Sequence, residues 1–310
     1  MIDCLCISGP TACGKTDLAL ELAERIGAEI VSMDSALVYR GMDIGTAKPS
    51  AVARARVPHH LIDIVDPSEA YSAGRFAADA LVAARAIAAR GLTPLLVGGT
   101  LLYLRAFRDG LAEIPSADRH VRRRIDAAAA KCGWPALHER LMQIDPDAGR
   151  RIAPTDRQRI QRALEVYELT GEVISTHQSR ATDHSGAVRV RTLALIDEDR
   201  SALAQRIEAR FDAMVDVGLI DEVRALMGRG DLSPDLPAIR AVGYRQIWAY
   251  LDGAYDWPEA RRRSITATRQ LAKRQMTWLR SEQNLHALPW SYPGRIEAAL
   301  EWACAAQRQA

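Results

Sequence analysis

One short stretch near the start of the chain limits its fold more than any other: Gly9-Pro10-Thr11-Ala12-Cys13-Gly14-Lys15-Thr16, which fits G-x-x-x-x-G-K-[ST]. Its glycines let backbone N–H groups turn inward around an anion, its lysine adds a point charge, and its threonine hydroxyl is a ligand for Mg²⁺. Such a loop works between a strand and a helix whose positive end meets the phosphate. The flanks supply both. Asp3 to Ser8 alternates and ends in small residues, which predicts a buried strand. Leu18, Leu22 and Ile26 recur along one face, with Glu21, Glu24 and Arg25 opposite, which predicts an amphipathic helix starting at Lys15. The alternative, a chance match in a glycine turn, has no need of those flanks. A site for a di- or triphosphate, such as that of ATP, is expected.

Further strands are predicted at Glu29–Ser35, at His59 running into Asp66-Pro67, at Leu92–Val97 and at Val188–Ile196, with a helix from Ala73 to Arg90. Ligands of open α/β sheets lie beyond the carboxyl ends of strands, so Asp34 is a candidate site carboxylate and Gly98-Gly99-Thr100 a candidate ligand turn. Asp34 could equally cap a turn. His59 and His60 point to opposite faces of a strand, which favours packing or phosphate contact over a metal. No apolar strand ends in an Asp-rich Walker B pattern, which favours group transfer over hydrolysis. Strand signals vanish between Arg119 and Arg180, with breaks at Gly133-Trp134-Pro135, Asp145-Pro146 and Gly171. The predicted fold is α/β, a nucleotide-kinase-like parallel sheet core of residues 1–118 and 186–310. Residues 119–185 form an all-helical insertion, and the C-terminal region is helical.

The net charge of +2 hides an uneven distribution, since Arg119–Arg162 holds eleven basic residues against five acidic ones. Arg240–Arg280 is similarly biased. Clustered arginine suits a polyanion, although arginine also solvates helix faces throughout this chain. No run of about 18 apolar residues suggests a membrane span. The N-terminus lacks a signal-peptide pattern, and the five cysteines form no C-x-x-C pair. A reduced, cytoplasmic setting with no membrane partner is expected.

Taken together and in order, several segments resemble the tRNA dimethylallyltransferases (isopentenyltransferases) of bacterial type. They are the Gly9–Thr16 loop, Ser32-Met33-Asp34-Ser35, Asp43-Ile44-Gly45-Thr46-Ala47-Lys48-Pro49, His59-His60-Leu61-Ile62-Asp63 and Val97-Gly98-Gly99-Thr100. Gln161-Arg162-Ala163-Leu164-Glu165, Ala241-Val242-Gly243-Tyr244-Arg245 and Thr268-Arg269-Gln270-Leu271-Ala272-Lys273-Arg274-Gln275 complete the set. Cys13, Leu37 and Leu101 stand where many members carry Ser, Gln and Gly. Cys13 is compatible with a loop that binds through its backbone, while Leu37 lacks the side-chain hydrogen bond of a glutamine.

The resemblance implies transfer of a dimethylallyl group from dimethylallyl diphosphate to the N6 amine of the adenosine 3′-adjacent to the anticodon, in tRNAs reading U-starting codons. Gly9, Pro10, Thr11, Ala12, Cys13, Gly14, Lys15 and Thr16 would hold the diphosphate, with Mg²⁺ on Thr16. Asp34 would be the base, and Thr100 and Arg210 would help hold the diphosphate. Arg206, one turn earlier, remains an alternative to Arg210. The tRNA contacts implied are Asp34, Ser35, Ala36, Leu37, Thr100, Arg122, Gln158, Arg159, Ile160, Gln161, Arg162, Arg240, Ala241, Val242, Gly243, Tyr244 and Arg245. The insertion would grip the anticodon stem, and the protein is expected to act as a monomer. Two rivals share the core: a small-molecule kinase using ATP, and an adenylate isopentenyltransferase acting on free nucleotides.

Overall fold

The computed structural model describes residues 1–112, 114–180, 187–282 and 284–308. The chain divides into two compact units, Met1–Arg108 with Ser185–Ala310, and Asp109–His184. In the first unit the described strands are β1 (Ile2–Ser8), β2 (Ala28–Ser32), β3 (His59–His60), β4 (Thr93–Gly98), β5 (Val188–Leu195) and β6 (Leu285–Leu288). They form one sheet in the order β3-β2-β4-β1-β5-β6, and every pair is parallel. The mixed α/β class predicted from the sequence is the observed one.

A parallel sheet has to be covered on both faces. Helices α1 (Lys15–Ile26), α2 (Ala51–Arg56), α3 (Ala73–Ala89) and α4 (Leu101–Asp109) interleave with its first strands. The second unit is built from α5 (Arg119–Ile144), α6 (Pro146–Arg151), α7 (Arg157–Thr170) and α8 (Ile174–Ser179). The first unit then resumes with α9 (Arg200–Asp216), α10 (Leu219–Gly228), α11 (Tyr244–Leu251), α12 (Trp257–Ser281) and α13 (Arg295–Arg308). The alternation of β1 divides the core. Leu5 and Ile7 join Leu18 and Leu22 of α1 and Ala299 and Ala303 of α13 in one cluster. Cys4 and Cys6 join Phe76, Ala80 and Ile87 of α3 in the other. Among the described residues no helix is long and apolar enough to cross a membrane.

The second unit has its own core, including Val121, Ile125, Leu137, Leu141, Ile160 and Leu164. Gly133, at φ 81°, breaks α5 where Gly-Trp-Pro predicts it. Aspartates cap the helices: Asp118 accepts from the His120 and Val121 N–H groups, and Asp145 from those of Ala148 and Ser175. This unit begins at Asp109 rather than Arg119. The segment before α5 is tied to α7, because Asp118 N–H donates to Glu165 (2.8 Å) and Arg162 to the Pro115 carbonyl (2.6 Å). The boundary read at 185/186 lies outside the described residues.

Several elements differ from the sequence reading. The third strand stops at His60, because Leu61 and Asp63 adopt φ of 62° and 58° and turn the chain out of the sheet. Helices α2 and α4 and strand β6 were not anticipated, whereas α13 lies in the C-terminal region read as helical. Helix α11 begins at Tyr244, behind Gly243 at φ 93°.

Candidate active site

Parallel strands bring their carboxyl ends to one edge. Ser8 of β1 pairs with Gly98 of β4, and Ser32 of β2 with Val97, so the Gly9–Thr16 loop, Asp34 and Thr100 leave the sheet side by side. The approach of the last two is close. Met33 N–H donates to the Val97 carbonyl (2.8 Å) and Thr100 N–H to the Met33 carbonyl (3.4 Å). A Cβ on Gly98 would lie 1.9 Å from that Met33 oxygen, so only glycine fits.

The Gly9–Thr16 loop curls through Ala12 at φ 66° and Gly14 at φ 86°, the N-cap of α1. Cys13 is buried against Gly9, and Lys15 Nζ rests on the Pro10 carbonyl at 3.3 Å. Lys15, Thr16 and Asp17 lie in the first turn of α1, where N–H groups have no partner within their own helix and form a natural anion site.

Helix α9 gives the two candidate arginines different surroundings. Arg206 Nε donates to the Ala12 carbonyl at 2.8 Å, and its guanidinium lies 5.1 Å from the Trp290 ring centre, so Arg206 braces the loop from outside. Arg210, one turn on, faces the cavities and makes no hydrogen bond or ion pair among the described residues. Burial pulls its guanidinium below the ordinary arginine value, and nearby Asp34 acts in the opposite sense.

A cavity of about 480 Å³ is lined by Thr11, Asp34, Thr100 and Arg210 on its polar side and by Ile207, Phe211, Met214 and Leu219 on its apolar side. A second, of about 300 Å³, holds Lys15, Thr16, Lys48, His59 and Arg210. A third, of about 100 Å³, brings Lys15, Thr16, Ser32, Asp34 and Leu37 together. Asp34 does cap a turn, since Oδ1 accepts the Ala36 N–H at 2.8 Å, yet its other oxygen has no protein partner among the described residues. The buried Ser32 hydroxyl is likewise without one.

The loop from Asp43 to Lys48 is pinned at both ends. Lys48, with a side chain 3% exposed, donates to the Tyr39 carbonyl (2.8 Å), to Asp43 (2.5 Å) and to Asp63. Glu222 of α10 accepts the N–H groups of Asp43, Ile44 and Gly45 at 2.7, 2.8 and 3.1 Å and the Tyr244 hydroxyl at 2.5 Å. Tyr244 is therefore fully buried and its hydroxyl committed. Ala241, Val242 and Gly243 line the large cavity, and Arg240 and Arg245 are exposed. Ser35 is exposed and Ala36 and Leu37 half-buried. His59 Nδ1 sits on the Val57 carbonyl (2.7 Å) and His60 on Glu29 (2.6 Å), so the two histidines do not converge. Among the described residues no group of three or more His, Cys, Asp or Glu is placed to hold a metal.

In the second unit, Arg122 and Arg162 share one fully buried carboxylate, Glu165, at 2.9 and 2.7 Å. Burial alone would raise that carboxyl, but the two guanidinium groups hold it below the usual range. Gln161 donates to Asp126 (2.6 Å), Ile160 is core, and Gln158 and Arg159 are exposed. Sequence reasoning missed Glu222 and gave no role to Gln275, which it met only within a resembling segment; the partners of both lie far away along the chain.

The IPP transferase family profile matches residues 37–282, and the isopentenyl transferase profile residues 2–56. The tRNA dimethylallyltransferase of Ralstonia pickettii is 55% identical over 299 residues, covering 94% of this chain and 92% of that protein. The tRNA dimethylallyltransferase of Alkalilimnicola ehrlichii is 58% identical over 296 residues, covering 96% and 92%. The crystal structure of the full-length tRNA isopentenylpyrophosphate transferase of Bacillus halodurans is 37% identical with a TM-score of 0.71, covering 100% of this chain and 98% of that one. A eukaryotic dimethylallyltransferase, captured in crystallographic snapshots acting on tRNA, is 25% identical with a TM-score of 0.77, covering 98% and 78%. Prenyl transfer, not small-molecule phosphorylation, is common to these relatives, and over nearly its whole length this chain belongs to the IPP transferase family, among the tRNA dimethylallyltransferases.

Proposed function

We propose that this chain moves the dimethylallyl group of dimethylallyl diphosphate to the N6 amine of the adenosine 3′-adjacent to the anticodon, in tRNAs that read U-starting codons. The observation that carries the reading is an Arg210 guanidinium without a partner among the described residues, beside the Gly9–Thr16 loop, on a cavity that also holds Asp34 and an apolar wall. A diphosphate needs the first two, a five-carbon chain the wall, and an amine the carboxylate.

The chemistry is a substitution at the allylic carbon. The amine nitrogen forms a bond to that carbon, the carbon–oxygen bond breaks, and its electron pair leaves with pyrophosphate. Lys15, Arg210 and the N–H groups at the start of α1 meet the growing negative charge in place, without reorganising. Asp34, through its free oxygen, takes the amine proton as the new bond forms. Thr100 borders the same cavity and helps hold the reacting groups.

Mg²⁺ fits the residues present. The Thr16 hydroxyl and the orphaned Ser32 hydroxyl border one cavity with Asp34, and all three offer hard oxygen donors. The ion would supply further charge neutralisation to the diphosphate.

A stacked adenine must leave its loop to react, which costs a few kcal/mol. Exposed Arg240, Arg245, Gln158 and Arg159, with Arg122 held half-exposed by Glu165, would contact the phosphates of the anticodon stem-loop.

The test mixes labelled dimethylallyl diphosphate and Mg²⁺ with unmodified tRNA or with AMP. Label in tRNA, lost in Asp34→Ala, is expected. Label in AMP alone would move the chain to free-nucleotide prenylation, and no label at all would sink the reading.

A further inference from the structure

Gln275 of α12 reaches across the site with both ends of its amide engaged. Its Oε1 accepts the Thr11 N–H at 2.9 Å, and its Nε2 donates to the Gly99 carbonyl at 3.1 Å. The orientation is determined by the partners, since Thr11 offers only a donor and Gly99 only an acceptor. Gly99 is required for this approach, because a Cβ there would lie 2.1 Å from Nε2.

The two partners belong to opposite sides of the reaction. Thr11 begins the turn of the phosphate loop. Gly99 precedes Thr100, whose N–H is bonded to the Met33 carbonyl, immediately before Asp34. Ser8 adds a third stitch, donating to the Gly98 carbonyl at 3.0 Å. The sheet alone fixes β1 and β4 only as far as Ser8 and Gly98, their last paired residues. Beyond that pair, Gln275 joins the loop that would hold the leaving group to the turn beside the base. Thr11 N–H, being engaged, is withdrawn from phosphate binding.

We propose that Gln275 is a positioning residue for prenyl transfer: its amide sets the distance between the diphosphate loop and the Asp34–Thr100 side. This rests on the prenyl-transfer reading above. The reacting nitrogen, allylic carbon and leaving oxygen have to lie in line, and a misplacement of about 1 Å costs on the order of 100-fold in rate. Gln275 also borders the cavity, with one N–H left over, but each end of its amide is engaged by backbone, and the proposed role runs through the loops it joins.

The experiment uses the full chain with Gln275→Ala and Gln275→Glu. Glutamate keeps an acceptor for Thr11 but offers no proton to Gly99 and repels its carbonyl. The readouts are kcat for transfer from dimethylallyl diphosphate to tRNA, Kd for inorganic pyrophosphate with Mg²⁺, and the melting temperature. Both variants are expected to lose about 10- to 100-fold in kcat. Pyrophosphate affinity should stay within about twofold, since the remaining loop N–H groups, Lys15 and Arg210 are untouched. Parallel loss of kcat and pyrophosphate affinity would make Gln275 a ligand-binding residue and overturn the proposal. Unchanged kcat in Gln275→Glu would overturn it too. Should Gln275→Ala fail to fold, the glutamate variant alone decides. Wild-type protein that binds pyrophosphate yet never prenylates tRNA would instead bring down the underlying reading, and this role with it.

Discussion

Arg210 is the residue whose surroundings say most. A guanidinium partly withdrawn from water, with no carboxylate hydrogen-bonded to it among the described residues, is costly, so the native state bears a penalty that a bound anion removes. Arg210→Ala should therefore weaken dimethylallyl diphosphate, raising its KM by about 10- to 100-fold, the loss of one or two charge-assisted hydrogen bonds. The same change should leave the melting temperature unchanged or raise it. Arg206→Ala should do the reverse, lowering the melting temperature by freeing the strained Ala12 turn. Titration of substrate and a thermal melt on the two variants check both. Spacing could not separate these arginines, which lie one turn apart on one face of α9. The Ala12 carbonyl that claims Arg206 is 194 residues away. By contrast the placement of Lys15, Thr16 and Asp34 at the carboxyl edge of the sheet was legible, because a glycine-rich loop and a polar strand end fix their own geometry locally.

At the scale of elements, the long periodic helices and the buried strands were readable because each carries its own apolar pattern. Strand β6 was not: two of its four residues are exposed, and it takes strand form only through pairing with β5. Nor did arginine composition show which cations of the insertion are free. In α5 and α7 the structure spends two of them on Glu165, so part of the basic cluster is a clasp between helices. That clasp has a pH signature. The folded carboxyl titrates below its unfolded value of about 4.3, so its contribution is complete above that pH and fades as pH falls through the lower, folded value. Glu165→Gln should lower stability at pH 7 by about 2–3 kcal/mol, less than the about 3–5 kcal/mol of a fully buried pair because Arg122 is 40% exposed. Its melting temperature should also fall less steeply than that of the parent below about pH 4.3, as thermal melts across an acid pH series would show.

For the molecule as a whole, the position of β1 decides when the chain can become native. This strand sits between β4 and β5, and β5 is encoded after the entire insertion. During synthesis at about 5–20 residues per second, β1 would wait roughly 5–20 s between the emergence of its two neighbours, with one apolar edge unpaired. Ribosome-bound chains that stop before Val188 should leave β1 open to protease and to chaperone capture, whereas Asp109–His184, with its own core, should already resist cleavage. Chains extended past Leu195 should protect β1, and equal protection at both lengths would count against this order. The insertion thus works as a delay written into the coding order, and a synonymous change that slows translation just before β5 would lengthen the interval in which a complete Gly9–Thr16 loop hangs from an incomplete sheet.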